Sequence, residues 1–181
     1  NGYYQDFEAK VRKVKVTDSV RPARNVIGFL DNNAAKTVVI GAHYDHLGEG
    51  KQGSSLAKDS YGMIHNGADD NASGVAGLLE LARVYSQNNI KEPVNFLFIA
   101  FGAEELGLVG SRYFVKNPTY DLGKVLWMLN MDMIGRLNKE RGVSVIGYGT
   151  SPEFETIFKE IDPNKFVKFY TGYEGRGGSD Q

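Results

Sequence analysis

Three apolar runs in this chain each stop at a histidine or a carboxylate. TVVIGA leads into His43 and Asp45, NFLFIAFGA into Glu104 and Glu105, and VLWMLNM into Asp132. A short run of β-branched and aromatic residues between turn signals reads as a strand buried on both faces, as in a parallel sheet. Open α/β sheets carry their sites outside the carboxyl ends of such strands, so the run ends are expected along one rim. A further acid, Asp70, lies in NGADDNASG, between a glycine turn and a helical pattern.

Around these runs the pattern alternates strand and helix. Strands are expected at residues 7–16, 24–30, 37–42, 94–101, 125–131 and 143–148, and again at 165–170. Helices are expected at 73–87, where Asn71 and Ser73 mark the start, at 106–116, and from Ser151-Pro152-Glu153 to about Ile161. Residues 47–66, rich in Gly, Ser and Lys, form a long loop, and the tail GYEGRGGSDQ is another. This order predicts an α/β fold: a three-layer sandwich with a mixed, largely parallel central sheet flanked by helices and an antiparallel pair at one edge.

Composition narrows the function. A net charge of −1 gives no footprint for nucleic acid. No apolar stretch reaches the roughly 20 residues a spanning helix needs, and the opening NGYYQDFEAK has no signal-peptide core. Cysteine is absent, which excludes thiol nucleophiles and thiolate metal sites. With 181 residues the chain reads as a single domain.

Carboxylates plus an imidazole suit zinc or a similar divalent ion. Glu104-Glu105 is the sharpest signal, because adjacent carboxylates at a strand end resist burial without a cation; in an extended segment they point to opposite sides. A solvated helix start is the alternative. In His43-x-Asp45, an Asp two residues on could accept the second N–H of a metal-bound imidazole; a surface loop pair is the alternative, and the commoner one for an isolated H-x-D. Asp69-Asp70-Asn71 suits helix capping, but an Asp there also has two oxygens for two cations. Asp132, between two methionines in an expected buried strand, most needs a partner. His46 and His65 have no matching acid in the sequence and read as loop residues or as residues that support a ligand without being one, and no tyrosine among Tyr44, Tyr61, Tyr148 and Tyr173 stands out.

GAHYDHLG, NGADDNASG, AEELGLVGS and NMDMIGR, in this order, resemble the co-catalytic zinc aminopeptidases. That family includes secreted bacterial leucyl aminopeptidases, glutamate carboxypeptidase, glutaminyl cyclase and the transferrin receptor ectodomain. The resemblance runs from about Val38 to Arg136 and implies two zinc ions. His43 and Asp132 then bind one zinc, Glu105 the other, and Asp70 bridges both. Asp45 orients His43, and Glu104 is the general base toward the water that the ions share. A cis peptide at Asp70–Asn71 is implied as well.

The resemblance also implies a C-terminal histidine ligand for the Glu105 zinc, and no histidine follows His65. The expectation is therefore a catalytic domain over residues 1–181 truncated at both ends, with the Asp70–Glu105 site one ligand short and the isolated chain inactive. The implied function is metal-dependent hydrolysis of N-terminal peptide bonds, with peptides as substrates and a secreted or periplasmic location. The alternatives within the resemblance are a carboxypeptidase, for which Arg136 or Arg176 would bind the substrate carboxylate, a glutaminyl cyclase-like acyltransferase, or a non-catalytic receptor-like domain.

Overall fold

A computed structural model describes residues 2–13, 16–51, 55–138, 140, 142–161 and 167–181. Its centre is a mixed five-stranded sheet of order β1-β2-β4-β3-β5, made of β1 (Tyr4–Lys13), β2 (Val16–Leu30), β3 (Thr37–His43), β4 (Asn95–Phe101) and β5 (Val125–Asn130). β3 lies parallel to both β4 and β5, whereas β2 runs antiparallel to β4 and to β1. The expected fold class and antiparallel edge are therefore present, with the parallel part confined to three strands.

The β-branched run 37–43 forms the middle of that parallel part because both of its faces find cover. Val38, Ile40 and Ala42 pack with Phe96 and Phe98 under Leu78 of α1 (Gly74–Gln87). Val39 packs with Leu97, Ile99 and Phe101 against Phe114 of α2 (Val109–Lys116), on the opposite face. Each such side chain, fully buried, contributes roughly 1.5–3 kcal/mol, so this three-layer block holds the strand ends in place. Gly41 is required within it: a Cβ there would lie 2.6 Å from Met128 Cε and 2.9 Å from Phe101.

Elsewhere the boundaries move. β1 ends at Lys13 and Val16 already opens β2, so the alternating run 7–16 is one arm of a hairpin; residues 14–15 lie outside those described. Along β1, Gln5, Phe7 and Ala9 are buried between exposed neighbours, the period of a one-sided strand. β2 is longer than the expected 24–30 because its first half pairs only with β1, a ribbon position that tolerates Pro22. α2 starts at Val109 and not at Leu106, because Leu108 has φ 59° and closes a turn. β6 (Val143–Ile146) pairs in parallel with β7 (Phe169–Gly172) in a separate two-stranded sheet, with α3 (Glu153–Ile161) between them in sequence. The strand expected at 165–170 thus falls at 169–172, and residues 165–166 lie outside those described.

Candidate metal centre

The parallel strands end where the sequence placed its acids. His43 is the last residue of β3, Glu104 and Glu105 follow β4, Asp132 follows β5, and Asp70 sits in the turn Ala68–Ser73 that leads into α1. The Asp70–Asn71 peptide is cis, as the resemblance implied.

His43 is 1% exposed. Its Nε2 lies 3.2 Å from Asp70 Oδ1, 3.5 Å from Asp132 Oδ1 and 4.0 Å from Glu104 Oε2. Asp45 holds the ring differently from the expectation: its main-chain oxygen lies 3.0 Å from His43 Nδ1, while its carboxylate stands 3.8 Å off. That carboxylate instead accepts hydrogen bonds from the Glu104 N–H at 2.9 Å and the Glu105 N–H at 3.2 Å. Asp45 thus braces the segment carrying both glutamates, and a main-chain carbonyl orients the imidazole. The segment is a turn rather than extended chain, since Ala103 has φ 59°; even so, the two glutamates diverge, Glu104 toward His43 and Glu105 toward His46.

His46 has the acidic partners that the sequence did not reveal. Its Nδ1 lies 2.9 Å from Glu105 Oε1 and 3.8 Å from Asp70 Oδ2. His46 is thus a loop residue that supports a ligand-type acid, one of the two roles expected of it; only the absence of an acidic partner is corrected, because the loop after β3 folds back over the end of β4. His65, by contrast, bonds Ser55 and the Met63 carbonyl, outside the carboxylate cluster.

The loops that carry Asp70 and Asp132 are stitched together by the residues around Asp70. Buried Asn71 donates to the Met131 carbonyl at 2.9 Å and accepts from the Gly74 N–H at 2.9 Å and the Met133 N–H at 3.2 Å. Asp69 accepts from the Gly135 N–H at 2.8 Å and pairs with Arg136 at 2.6 Å. The acidic pair thus divides its work: Asp69 fastens the loop, and Asp70 faces the imidazoles. Two more residues come from the glycine-rich tail. Ser179 donates to Asp132 Oδ2 at 2.6 Å and accepts from Asn130 at 2.8 Å, and Asp180 is buried beside Ser111. Nothing in the period or composition of the tail marks them.

The charges are strongly coupled. Burial opposes a charged His43, but the carboxylates of Asp132 and Glu104 and the Asp45 carbonyl outweigh it and raise its pKa to about 9. Burial lifts Glu104 to about 8, with Asp180, Glu105 and Asp132 adding to the rise and His43 opposing it. Burial likewise lifts Asp180 to about 6. Glu105 is raised by burial and by Asp70, against the pull of His46. Asp132 is lowered, first by His43. Without a metal, a proton on His43 supplies the positive charge these acids need.

Among the described residues, two sets of donor atoms each lie within 4.8 Å of one another: His43, Asp70 and Asp132, and His46, Asp70 and Glu105. The fit to a cation is supported by Asp132 Oδ1, which is buried without a hydrogen-bond partner and faces the first set. An imidazole with oxygen ligands is a donor set that zinc accepts.

An α/β sheet with imidazole and carboxylate donors converging at the ends of its parallel strands has the build of a metal-dependent hydrolase. The chain belongs to peptidase family M28, whose sequence pattern it matches over residues 25–181. Leupeptin-inactivating enzyme 1 of Streptomyces exfoliatus is 38% identical over 115 residues, covering 63% of this chain and 25% of that protein. Leucine aminopeptidase 1 of Ajellomyces capsulatus is 32% identical over 156 residues, covering 83% of this chain and 38% of that protein. The chain thus spans between a quarter and two fifths of the length of these relatives. Among solved structures, BSAP, a zinc aminopeptidase from Bacillus subtilis, is similar with a TM-score of 0.61 at 27% identity, over 90% of this chain and 38% of that one. Glutaminyl cyclase from Bacteroides thetaiotaomicron reaches 0.70 at 21% identity, over 99% of this chain and 65% of that one, a likeness of fold alone.

Proposed function

We propose that this chain is the catalytic part of a zinc-dependent aminopeptidase that removes N-terminal residues from peptides, with Glu104 as the general base. The observation that carries the reading is His43 Nε2 set between Asp70 and Asp132 at 3.2 and 3.5 Å, with Glu104 Oε2 4.0 Å away. His43 and Asp132 would hold one ion, Glu105 would hold the other, and Asp70 would offer one oxygen to each. When bound, the two ions polarise the scissile carbonyl and acidify the attacking water.

The remaining steps belong to the side chains. Glu104 is not needed to complete either donor set, so it is free to accept the proton of the attacking water and return it to the leaving amine. Its raised pKa suits that task in a site of added positive charge, which pulls the carboxyl back toward ionisation. Asp45, bonded to the N–H groups of Glu104 and Glu105, sets where the base stands. The carboxyl-rich rim favours a cationic amino terminus. Arg136, one cation considered for a carboxypeptidase, is neutralised by Asp69 and its side chain is 75% exposed. Export from the cytoplasm belongs to the same proposal, on kinship alone.

The test is release of the first residue from an unblocked peptide, and from its N-acetylated counterpart, by a zinc-loaded longer protein that contains this chain and supplies the missing histidine. Cleavage of the unblocked peptide only is expected. Glu104→Gln should lower kcat by about 10²–10⁴-fold while zinc content is kept. Full turnover in Glu104→Gln would remove its assignment as base, and conversion of an N-terminal glutamine to a cyclic product without hydrolysis would favour the cyclase alternative.

A further inference from the structure

A hollow of about 270 Å³ opens beside the metal centre, between the β1–β2 ribbon and the loops that follow β3 and β4. Its floor is a small apolar cluster in which three alanines, Ala9 of β1, Ala23 of β2 and Ala103 after β4, stand beside Leu106. Larger side chains at those positions would fill the space. One wall is Tyr44, which is fixed at both ends: its N–H donates to the Phe101 carbonyl at 2.9 Å and its hydroxyl to the Arg24 carbonyl at 2.8 Å. Pockets for drug-sized ligands span roughly 300–1,000 Å³, so this one suits a single amino-acid residue.

The charges around the centre give the hollow a direction. Two acids line it, and both are engaged: Asp45 accepts from the Glu104 and Glu105 N–H groups, and Glu105 pairs with His46 at 2.9 Å. The cation at its edge is free. Arg21 lines the hollow and has no ion-pair partner among the described residues, whereas Arg24, further along the ribbon, is held by Asp6 at 2.9 Å. Glu104, Asp132 and Asp180 do not line the hollow; these three carboxylates stand around the single imidazole of His43. A cationic amino terminus is attracted by that excess of acid and repelled by a free guanidinium. A peptide lying across the centre therefore points its amino terminus toward the His43 half and its second residue into the hollow.

We propose that the hollow receives the residue on the leaving side of the scissile bond, one with an apolar side chain, and that Arg21 pairs with the carboxylate at the end of a dipeptide. The substrate class that fits is a dipeptide with an apolar second residue. This inference rests on the aminopeptidase reading above and adds to it the chemistry of the residue that leaves.

The zinc-loaded longer protein that contains this chain would be compared by kcat/KM on Leu-Gly, Leu-Ala, Leu-Leu and the amide of Leu-Leu. The wild type should gain about 10-fold from Gly to Leu in the second position and lose about 3-fold on amidation. Ala23→Phe, which fills the hollow, should abolish the gain and leave the preference for Leu-Gly over Ala-Gly, set by the first residue, as it was. Arg21→Gln should remove the effect of amidation alone. A rate indifferent to the second residue would overturn the proposal, as would a change of first-residue preference in Ala23→Phe, and the aminopeptidase reading would stand in either case. Equal rates on Leu-Leu and its amide would overturn the role of Arg21. Failure to release leucine from any of the four would overturn the aminopeptidase reading, and the assignment of the hollow with it. Should Ala23→Phe fail to fold by circular dichroism, the wild-type series and Arg21→Gln decide. Calorimetric titration of Glu104→Gln with Leu-Gly, Leu-Leu and its amide should give the same order of affinities without turnover.

Discussion

The two halves of the centre share Asp70 but are held very differently. His43 ends the middle strand of the parallel part, opposite Phe101 in register, and is 1% exposed. Its partner Asp132 is braced by Ser179, on a loop pinned through Asn71. His46 lies on the loop beyond β3, and with Glu105 it borders a cleft lined by Ala9, Pro22, Tyr44, Leu47 and Leu106. His43 is fixed at the end of a sheet strand, while His46 stands on a loop beside the cleft. The two sets therefore differ in what holds the imidazole, a strand end in one and a loop in the other, while Asp45 braces the Glu105 segment as Ser179 braces Asp132.

Removing the residue common to both halves should have the largest effect. Asp70→Asn is expected to weaken zinc binding at both positions, each by more than the roughly 10–100-fold that loss of an outer partner costs. Zinc titration followed by elemental analysis checks this. A variant that loses only one ion would show that Asp70 serves one half alone. Asn71→Ala probes the bracing of the buried half. It removes a 2%-exposed amide that bonds Met131, Met133 and Gly74. Leaving those groups unpaired should cost about 1–3 kcal/mol in urea unfolding. If the bracing is specific to the His43 half, zinc affinity should fall there and stay near wild type at the Glu105 position.

The same contrast separates what the sequence could disclose from what it could not. Runs such as TVVIGA and NFLFIAF announce buried strands, and each ends at a ligand-type residue, so the rim and its acids were legible. α1 was legible too, because its apolar spacing and its Asn71 start agree. What depended on loop geometry was not. Asp45 was matched to His43 by spacing, but the turn at Ala103 swings the Glu104 and Glu105 N–H groups onto its carboxylate. His46 carried no local acid, because Glu105 reaches it across 59 positions of chain. Ser179 and Asp180 sit in a glycine-rich tail whose period says nothing about where it docks. By its pattern Asp132 belongs to a buried strand, whereas it follows β5, whose Leu126, Trp127 and Leu129 are exposed at the sheet's edge.

The smallest effect, and the one that weighs the buried half alone, is the pH dependence of the metal-free protein. His43 rises from 6.5 to about 9, so the stability it contributes is present below pH 6.5 and is lost as the pH climbs through 9. Glu104 rises from 4.5 to about 8 and Asp180 from 3.8 to about 6, so their contributions are likewise lost as the pH rises through those values. Asp132 is lowered from 3.8 and acts in the opposite sense, but its contribution is already complete by pH 5. From pH 5 to pH 9 the shifted groups of the buried half therefore pull the same way, and the Tm of the metal-free protein should fall, on the order of 5 °C or more. On the proposed zinc reading, a bound ion would take over the role of the proton on His43 and pair the carboxylates, so the loaded protein should lose most of that slope. A slope equally steep with zinc bound would mean that the buried half titrates independently of the metal, and the contrast between the two halves would fail.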